Sequence, residues 1–330
     1  MTGCAPGPRW IAVATRGGGM LFFDGGLQPA GSARLPLDPV ALESTGDGAS
    51  ILVGGAAGSG SGMLAWLRRA DGRVMVRQST TTPITVVSLD REGRIALALT
   101  SGADARLSFL SAGRLVPTRS LPLCAEPVAL NYPREGDRAY VTCHPGAVVE
   151  VDPKLEIVVQ TALVAADSGR ACGAGRGALS ANGTLLFVPC AASGQILYLD
   201  RVTLRPWDSV FVARGLGALA VTPEGVGVAL VPDSDRVILV DLRRKSRLAS
   251  VALASNPTDV MLSASGRLAV LLAAGRGGEG ALAEVDTRNG AILARAAIPG
   301  GGRAVHVWPG RRESRMHWVG LGPSLEPPQQ

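Results

Sequence analysis

Short apolar runs recur along the chain, each introduced by a small turn that ends in glycine: GDGASILVGG with Gly48, REGRIALALTS with Gly93 and REGDRAYVTC with Gly136. The series continues as ANGTLLFVPC with Gly183, PEGVGVALV with Gly225 and ASGRLAVLL with Gly266. Successive glycines stand 45, 43, 47, 42 and 41 residues apart. A period of about 44 residues is that of one four-stranded β-propeller blade.

Each unit divides into four strand candidates, a to d from the axis outward, bounded by Gly, Pro, Asn, Asp or Ser clusters. Inner strands are predicted to start near Val40, Ile84, Val128, Gly177, Gly217, Thr258 and Ala304, several just after a proline (Pro39, Pro83, Pro127, Pro257). Third strands are expected near residues 20–23, 63–67, 106–110, 147–151, 195–199, 236–240 and 281–285, and five of them run into an aspartate: Asp24, Asp152, Asp200, Asp241 and Asp286. Outer strands such as 157–163, 248–253 and 292–298 complete the units. The prediction is an all-β, seven-bladed β-propeller of four-stranded antiparallel blades.

The first unit opens with the b strand of residues 10–15 and has no inner strand before it, while the chain's last inner strand, residues 303–308, has no blade after it. Pairing these two closes the ring and removes edges that would template aggregation. The segment RMHWVGL, Arg315 to Leu321, reads as a surplus b strand that caps the closing blade, displaces the N-terminal strand or lies across a face. Residues 1–8 read as a linker, 9–322 as one propeller domain and 323–330 as a disordered tail.

Composition agrees with this. Of 330 residues 46% are hydrophobic and 18% charged, which argues against disorder, while 43 glycines and 22 prolines suit many turns and few helices. No apolar stretch reaches the roughly 18 residues that a helical membrane span needs. The net charge of +6 is carried almost wholly by arginine; Lys154 and Lys245 are the only lysines, and the one dense spot is Arg243, Arg244, Lys245 and Arg247. Scattered basic charge with only 13 aromatic residues lacks the clustering and stacking platforms of a nucleic-acid surface, so no nucleic-acid partner is expected.

The residues also resemble a family. RAYVTC followed by GAVVEVDPKLEIVVQTALV, and RVILVDLRRKSRLASVALASNPTDVMLSASGRLAVLL, are similar to the YVTN-type seven-bladed propellers, in which a proline, an apolar strand, a Gly turn, a YVTN-like strand and a strand ending in Val-Asp succeed one another. Tyr140-Val141-Thr142-Cys143 comes nearest to the naming motif, and the repeat pattern covers about residues 9 to 308. The resemblance implies the propeller fold. Lactonase-like enzymes, surface proteins and non-catalytic scaffolds share the repeat, so function needs a site.

Cys124 precedes the inner strand of blade 4 and Cys143 ends its second strand; Cys172 and Cys190 hold the corresponding places in blade 5. Antiparallel neighbours bring the start of one strand beside the end of the other, so each pair can bridge within its own blade. Two disulfides would imply an oxidising compartment. A zinc site with His144 beside Cys143 and a set of buried free thiols are the competing readings; there is no CxxC and no CxxCH, and neither metal nor cofactor is expected. Cys4, in MTGCAPGPRW, resembles the lipidated cysteine at the end of a bacterial lipoprotein signal whose earlier regions are missing; an odd thiol on a cytoplasmic protein is the alternative.

No phosphate loop, nucleophile elbow or HExxH motif occurs, and the glycine-rich stretches 54–62 and 275–280 read as hairpin loops between strands b and c. Of the three histidines, His306 lies in the closing strand, His317 in the surplus strand and His144 at a loop. Chemistry would gather at the mouth of the axial channel, where the loops entering the inner strands converge. The register predicts a rim of Asp38, Thr82, Glu126, Arg176, Leu216, Asn256 and Arg303, with His144 as the nearby imidazole. The expected function is a monomeric, non-catalytic exported scaffold that binds an envelope or secreted protein partner or a ligand, in the periplasm or at the cell surface, held to the membrane only through a lipid on Cys4. A lactonase-like hydrolase with its site at the mouth, and a propeller subunit of an envelope redox complex, are the alternatives.

Overall fold

A computed structural model describes residues 10–308, apart from residues 70, 91–92, 134–136, 166–170 and 276–277. The expectations for residues 1–8, Cys4, Arg315 to Leu321 and residues 323–330 fall outside the described residues. In chain order, β1 (Trp10–Thr15), β2 (Gly19–Phe23) and β3 (Pro29–Arg34) are the three outer strands of blade 1. Blade 2 is β4 (Asp38–Ser44), β5 (Ser50–Ala56), β6 (Gly62–Arg68) and β7 (Val74–Thr80); blade 3 is β8 (Ile84–Leu89), β9 (Ile95–Thr100), β10 (Arg106–Ser111) and β11 (Val116–Pro122). Blade 4 follows as β12 (Glu126–Asn131), β13 (Ala139–His144), β14 (Ala147–Asp152) and β15 (Ile157–Leu163), and blade 5 as β16 (Ala178–Leu179), β17 (Leu185–Cys190), β18 (Gln195–Asp200) and β19 (Pro206–Phe211). Blade 6 is β20 (Ala218–Val221), β21 (Val226–Val231), β22 (Arg236–Asp241) and β23 (Ser246–Ala252); blade 7 is β24 (Asn256–Leu262), β25 (Leu268–Ala274), β26 (Gly280–Asp286) and β27 (Ile292–Ile298).

The last strand, β28 (Gly302–Trp308), runs antiparallel to β1, with Val13 opposite Val305, and supplies the inner strand of blade 1. The seven-bladed, four-stranded architecture and the closure by the two ends are those the repeat predicts.

The recurring glycine has a common cause. Thr45, Asp90, Ser180, Thr222 and Ser263 each accept, through a side-chain oxygen, the N–H of a residue at the start of the following strand: Ser50, Ile95, Leu185, Val226 and Leu268. The glycine three residues after each anchor returns its own N–H to the anchor's carbonyl with φ between 66° and 84°, a region that favours glycine. Third strands end in Asp for a related reason: the carboxylates of Asp24, Asp152, Asp200, Asp241 and Asp286 accept backbone N–H groups of the turn that follows.

The core lies between blades. Seven buried apolar clusters each join two neighbours, from Leu52, Trp66, Val87 and Leu110 between blades 2 and 3 to Val13, Phe23, Leu272 and Ile298 between blades 7 and 1. The last of these carries the ring closure, since it buries β1 against blade 7. The ends of the two glycine-rich stretches correct one expectation: Gly54 and Gly55 stand in β5, Gly62 opens β6 and Gly280 opens β26, and residue 54 must be glycine because a Cβ there would press on Ile84 and Val87 of blade 3.

Both disulfides form within blades as predicted. Cys124–Cys143 spans 6.1 Å and Cys172–Cys190 spans 4.8 Å between Cα atoms. With partners 19 and 18 positions apart in the chain, each contributes about 3 kcal/mol in the chain-entropy model. Paired cysteines are consistent with a compartment outside the cytoplasm.

Candidate functional site

The turn anchors give a ruler for the axial channel, because residues equally far ahead of them stand at one level of their inner strands. Asp38 and Asn256 stand seven residues ahead of Thr45 and Ser263, at the entrance. Arg176 stands only four ahead of Ser180, so it belongs deeper than the rim the sequence predicts for it. Blade 5 causes the offset. Its inner strand is reduced to two residues, and the preceding backbone turns toward blade 6: Arg176 N donates to Gly217 O at 2.9 Å and Leu219 N to Arg176 O at 2.9 Å. Glycines at 175 and 177 permit this approach, since a Cβ at either would strike the carbonyl of Gly217 or Phe187.

At the level of Arg176 lies a carboxylate that rim reasoning missed. Asp259, four residues ahead of Ser263 and 4% exposed, forms an ion pair with Arg176 and accepts the N–H of Val305 at 2.8 Å. The pair reaches from blade 5 to blade 7, and the residue at that level of blade 6 is the small Ala218. A cavity of about 430 Å³ opens here, lined by Arg176, Ala218, Asn256 and Thr258 with Gly175, Gly217 and Pro232. Asp259 had a legible signal: a charged residue in an inner strand whose counterparts are Ala41 and Val86.

Other rim residues separate. Arg303, in the closing strand of blade 1, pairs with Asp38 of blade 2 at 3.0 Å, and Asp38 also accepts the N–H of Gly17 at 3.0 Å. Glu126 is exposed and lies opposite His144 in the β12–β13 ladder. Thr82 is half-buried, and its carbonyl accepts the Thr80 hydroxyl at 2.8 Å. Leu216 corrects another expectation: it is 1% exposed and packs with Leu219, Val231 and Val212 between blades 5 and 6, because an apolar side chain at a blade boundary gains more from that core than from the channel.

Deeper still lies a second polar level. Glu43 and Ser88 stand two residues ahead of their anchors, His306 is opposite Ala12 as Glu43 is opposite Leu52, and Asn131 lies opposite Tyr140. The corresponding residues of blades 5 to 7 are Ala178, Ala220 and Met261, so this level is polar on blades 1 to 4 and apolar on the rest. Burial pushes the Glu43 carboxyl up to about 7, opposed in part by the N–H of Ser44. Burial pushes the His306 imidazole down to about 4, and its Nε2 lies 2.8 Å from the Ser44 hydroxyl. Both groups are therefore favoured in their neutral forms.

Chemically, the mouth holds two arginine–carboxylate pairs and the deeper level a carboxyl whose charged form burial disfavours and a neutral imidazole. Among the described residues, no group of three or more His, Cys, Asp or Glu side chains is arranged to hold a metal ion. The expected zinc alternative also loses its thiolates to the two disulfides.

Two solved structures share the fold across almost the whole chain. One, a provisional 6-phosphogluconolactonase from Bacteroides uniformis, superposes with a TM-score of 0.75 at 14% identity and covers 91% of this chain and 99% of its own. The other, a protein of unknown function from Desulfotomaculum acetoxidans, gives 0.73 at 13% identity and covers 92% of this chain and 99% of its own. No family model and no curated protein matches the sequence.

Proposed function

We propose that this protein is a non-catalytic, exported propeller that binds a small polar ligand or a side chain of an envelope partner at the mouth of its channel. The carrying observation is that both arginines expected at the mouth are each paired with a carboxylate: Arg176 with Asp259 and Arg303 with Asp38. Ring-opening hydrolysis of a lactone needs a carboxylate or imidazole able to activate water, with a cation near the developing oxyanion. Here the buried imidazole, His306, is engaged with Ser44 at a deeper level, and the exposed His144 lies beside Glu126 instead of the Arg176–Asp259 pair.

The cavity remains suited to recognition. Asn256, Thr258 and the half-exposed Arg176 offer hydrogen-bond groups in a lining that also includes Ala218, Leu230 and Pro257. Export is supported by the two disulfides, and an acyl anchor at Cys4 belongs to the same proposal; mass spectrometry of protein from native membranes tests the anchor.

The likeness to the Bacteroides protein favours a second reading, hydrolysis of a sugar-phosphate lactone. One assay separates the two. With 6-phosphogluconolactone as substrate, the purified protein is expected to leave the spontaneous rate of ring opening unchanged. Acceleration that disappears in R176A would overturn the scaffold reading.

A further inference from the structure

Seven blades built on one plan allow equivalent positions to be compared. The last residue of each outer strand stands opposite the first residue of the third strand, and in blades 2 to 7 it is Thr80, Pro122, Leu163, Phe211, Ala252 or Ile298. In blade 1 it is Arg34, opposite Gly19. The residue that follows the second strand is neither Arg nor Lys in blades 2 to 7, whereas in blade 1 it is Arg16. Blade 1 is thus set apart by a cation at both places.

The two arginines share one concavity. A cavity of about 400 Å³ is lined by Arg16 and Arg34 together with Ser32, Gly17, Gly19 and Leu21. Glycine at position 19 leaves the wall opposite Arg34 without a side chain, and a Cβ there would strike the Thr15 hydroxyl. Both arginines are exposed, and no carboxylate among the described residues pairs with either. Asp38, the acid beside this turn, is already engaged: it accepts the N–H of Gly17 at 3.0 Å and pairs with Arg303 at 3.0 Å. Two like charges therefore face one notch without a counter-charge, and the notch attracts anions.

We infer that this notch of blade 1 binds a dianionic oxyanion group, of the phosphate monoester or sulfate class. Charge and shape select that class. Each guanidinium presents a planar fork of N–H donors, a geometry that matches the oxygens of an oxyanion two at a time. A carboxylate balances one of the two positive charges, whereas a phosphate monoester, carrying about −1.5 to −2 charges at neutral pH, balances both. Ser32 adds a hydroxyl to the same lining. The notch shares no lining residue with the cavity at Arg176, so the inference is independent of the reading of the channel mouth.

Amide NMR titrations with sodium sulfate, inorganic phosphate and O-phosphoserine, at constant ionic strength, test it. Each is expected to shift the Gly17, Gly18 and Gly19 resonances saturably, with half-saturation on the order of 1 mM, and acetate to bind at least about tenfold more weakly. R16A and R34A are each expected to weaken dianion binding at least about tenfold. R77A/R119A removes two exposed arginines from the outer strands of blades 2 and 3 and is expected to stay within about twofold of the wild type, which separates a site from general positive charge. Sedimentation with phosphatidic acid vesicles distinguishes the sources: capture lost in R16A/R34A assigns a lipid headgroup, and binding of the soluble dianions alone a free ligand. Circular dichroism establishes that the variants fold. Shifts that only grow linearly with salt, undiminished binding in R16A/R34A, or equal weakening in R77A/R119A would each overturn the proposal.

Discussion

The two polar levels of the axial channel solve the same problem in opposite ways. At the upper level the charges remain and are paired: Asp259, 4% exposed, is matched by the half-exposed guanidinium of Arg176 and by the N–H of Val305. At the lower level burial works against charge: the Glu43 carboxyl is raised to about 7 and the His306 imidazole lowered to about 4. The difference follows from depth and reach. Near the mouth, water screens one side of the pair and a long arginine can cross an alanine position. Deeper, an ionised group faces desolvation without a described cation in reach of Glu43, so neutrality costs less.

The contrast breaks most severely at Asp259. Asp259→Ala leaves Arg176 without its partner and Val305 without an acceptor, and is expected to cost about 3–4 kcal/mol in denaturant unfolding. A loss below about 1 kcal/mol would mean that water substitutes freely and that the upper level is not held by pairing.

Removing the Cys172–Cys190 bridge, which fixes the segment leading into Arg176, is expected to cost about 3 kcal/mol. Reduction should therefore destabilise the wild type but not C172A/C190A through this bridge, a comparison best made with Cys124–Cys143 already removed from both.

At the lower level the effects depend on pH. A carboxyl raised from 4.5 to about 7 keeps its proton in the folded state while the unfolded chain releases it, so wild-type stability falls as pH rises through that window. Glu43→Gln abolishes this loss and is expected to be relatively more stable at pH 8 than at pH 5, by about 1–3 kcal/mol. The imidazole has the opposite sign. Its value is lowered from 6.5 to about 4, so stability is lost as pH falls through that interval, and His306→Asn should flatten the acid limb of the unfolding curve. The smallest effect belongs to the rim. Arg303→Ala breaks a partly exposed pair with Asp38 and should cost less than about 1 kcal/mol, decreasing further with salt.

Much of the architecture was legible because it repeats. The anchor, glycine and terminal-aspartate positions recur for hydrogen-bonding reasons that act within a single blade, and cysteines at matching places in blades 4 and 5 form the two expected bridges. The site was legible only in part, because a channel is made between blades. The register of the inner-strand starts put Arg176 beside Asp38, but the shortened β16 and its detour toward Gly217 shift it deeper; the same register put Leu216 at the rim, whereas interblade packing takes it into the core. Asp259 and Glu43 were readable as charges inside otherwise apolar strands. Their partners were not, since Arg176 and Val305 are 83 and 46 residues away from Asp259.

The contrast between levels is tested most directly by following the side-chain carboxyl carbon of Glu43 by NMR as pH is varied, with Glu43→Gln identifying the resonance. The account predicts a midpoint near 7. A midpoint at the ordinary carboxyl value near 4.5 would show Glu43 fully ionised at neutral pH, and would contradict the claim that burial at the deeper level disfavours its charge.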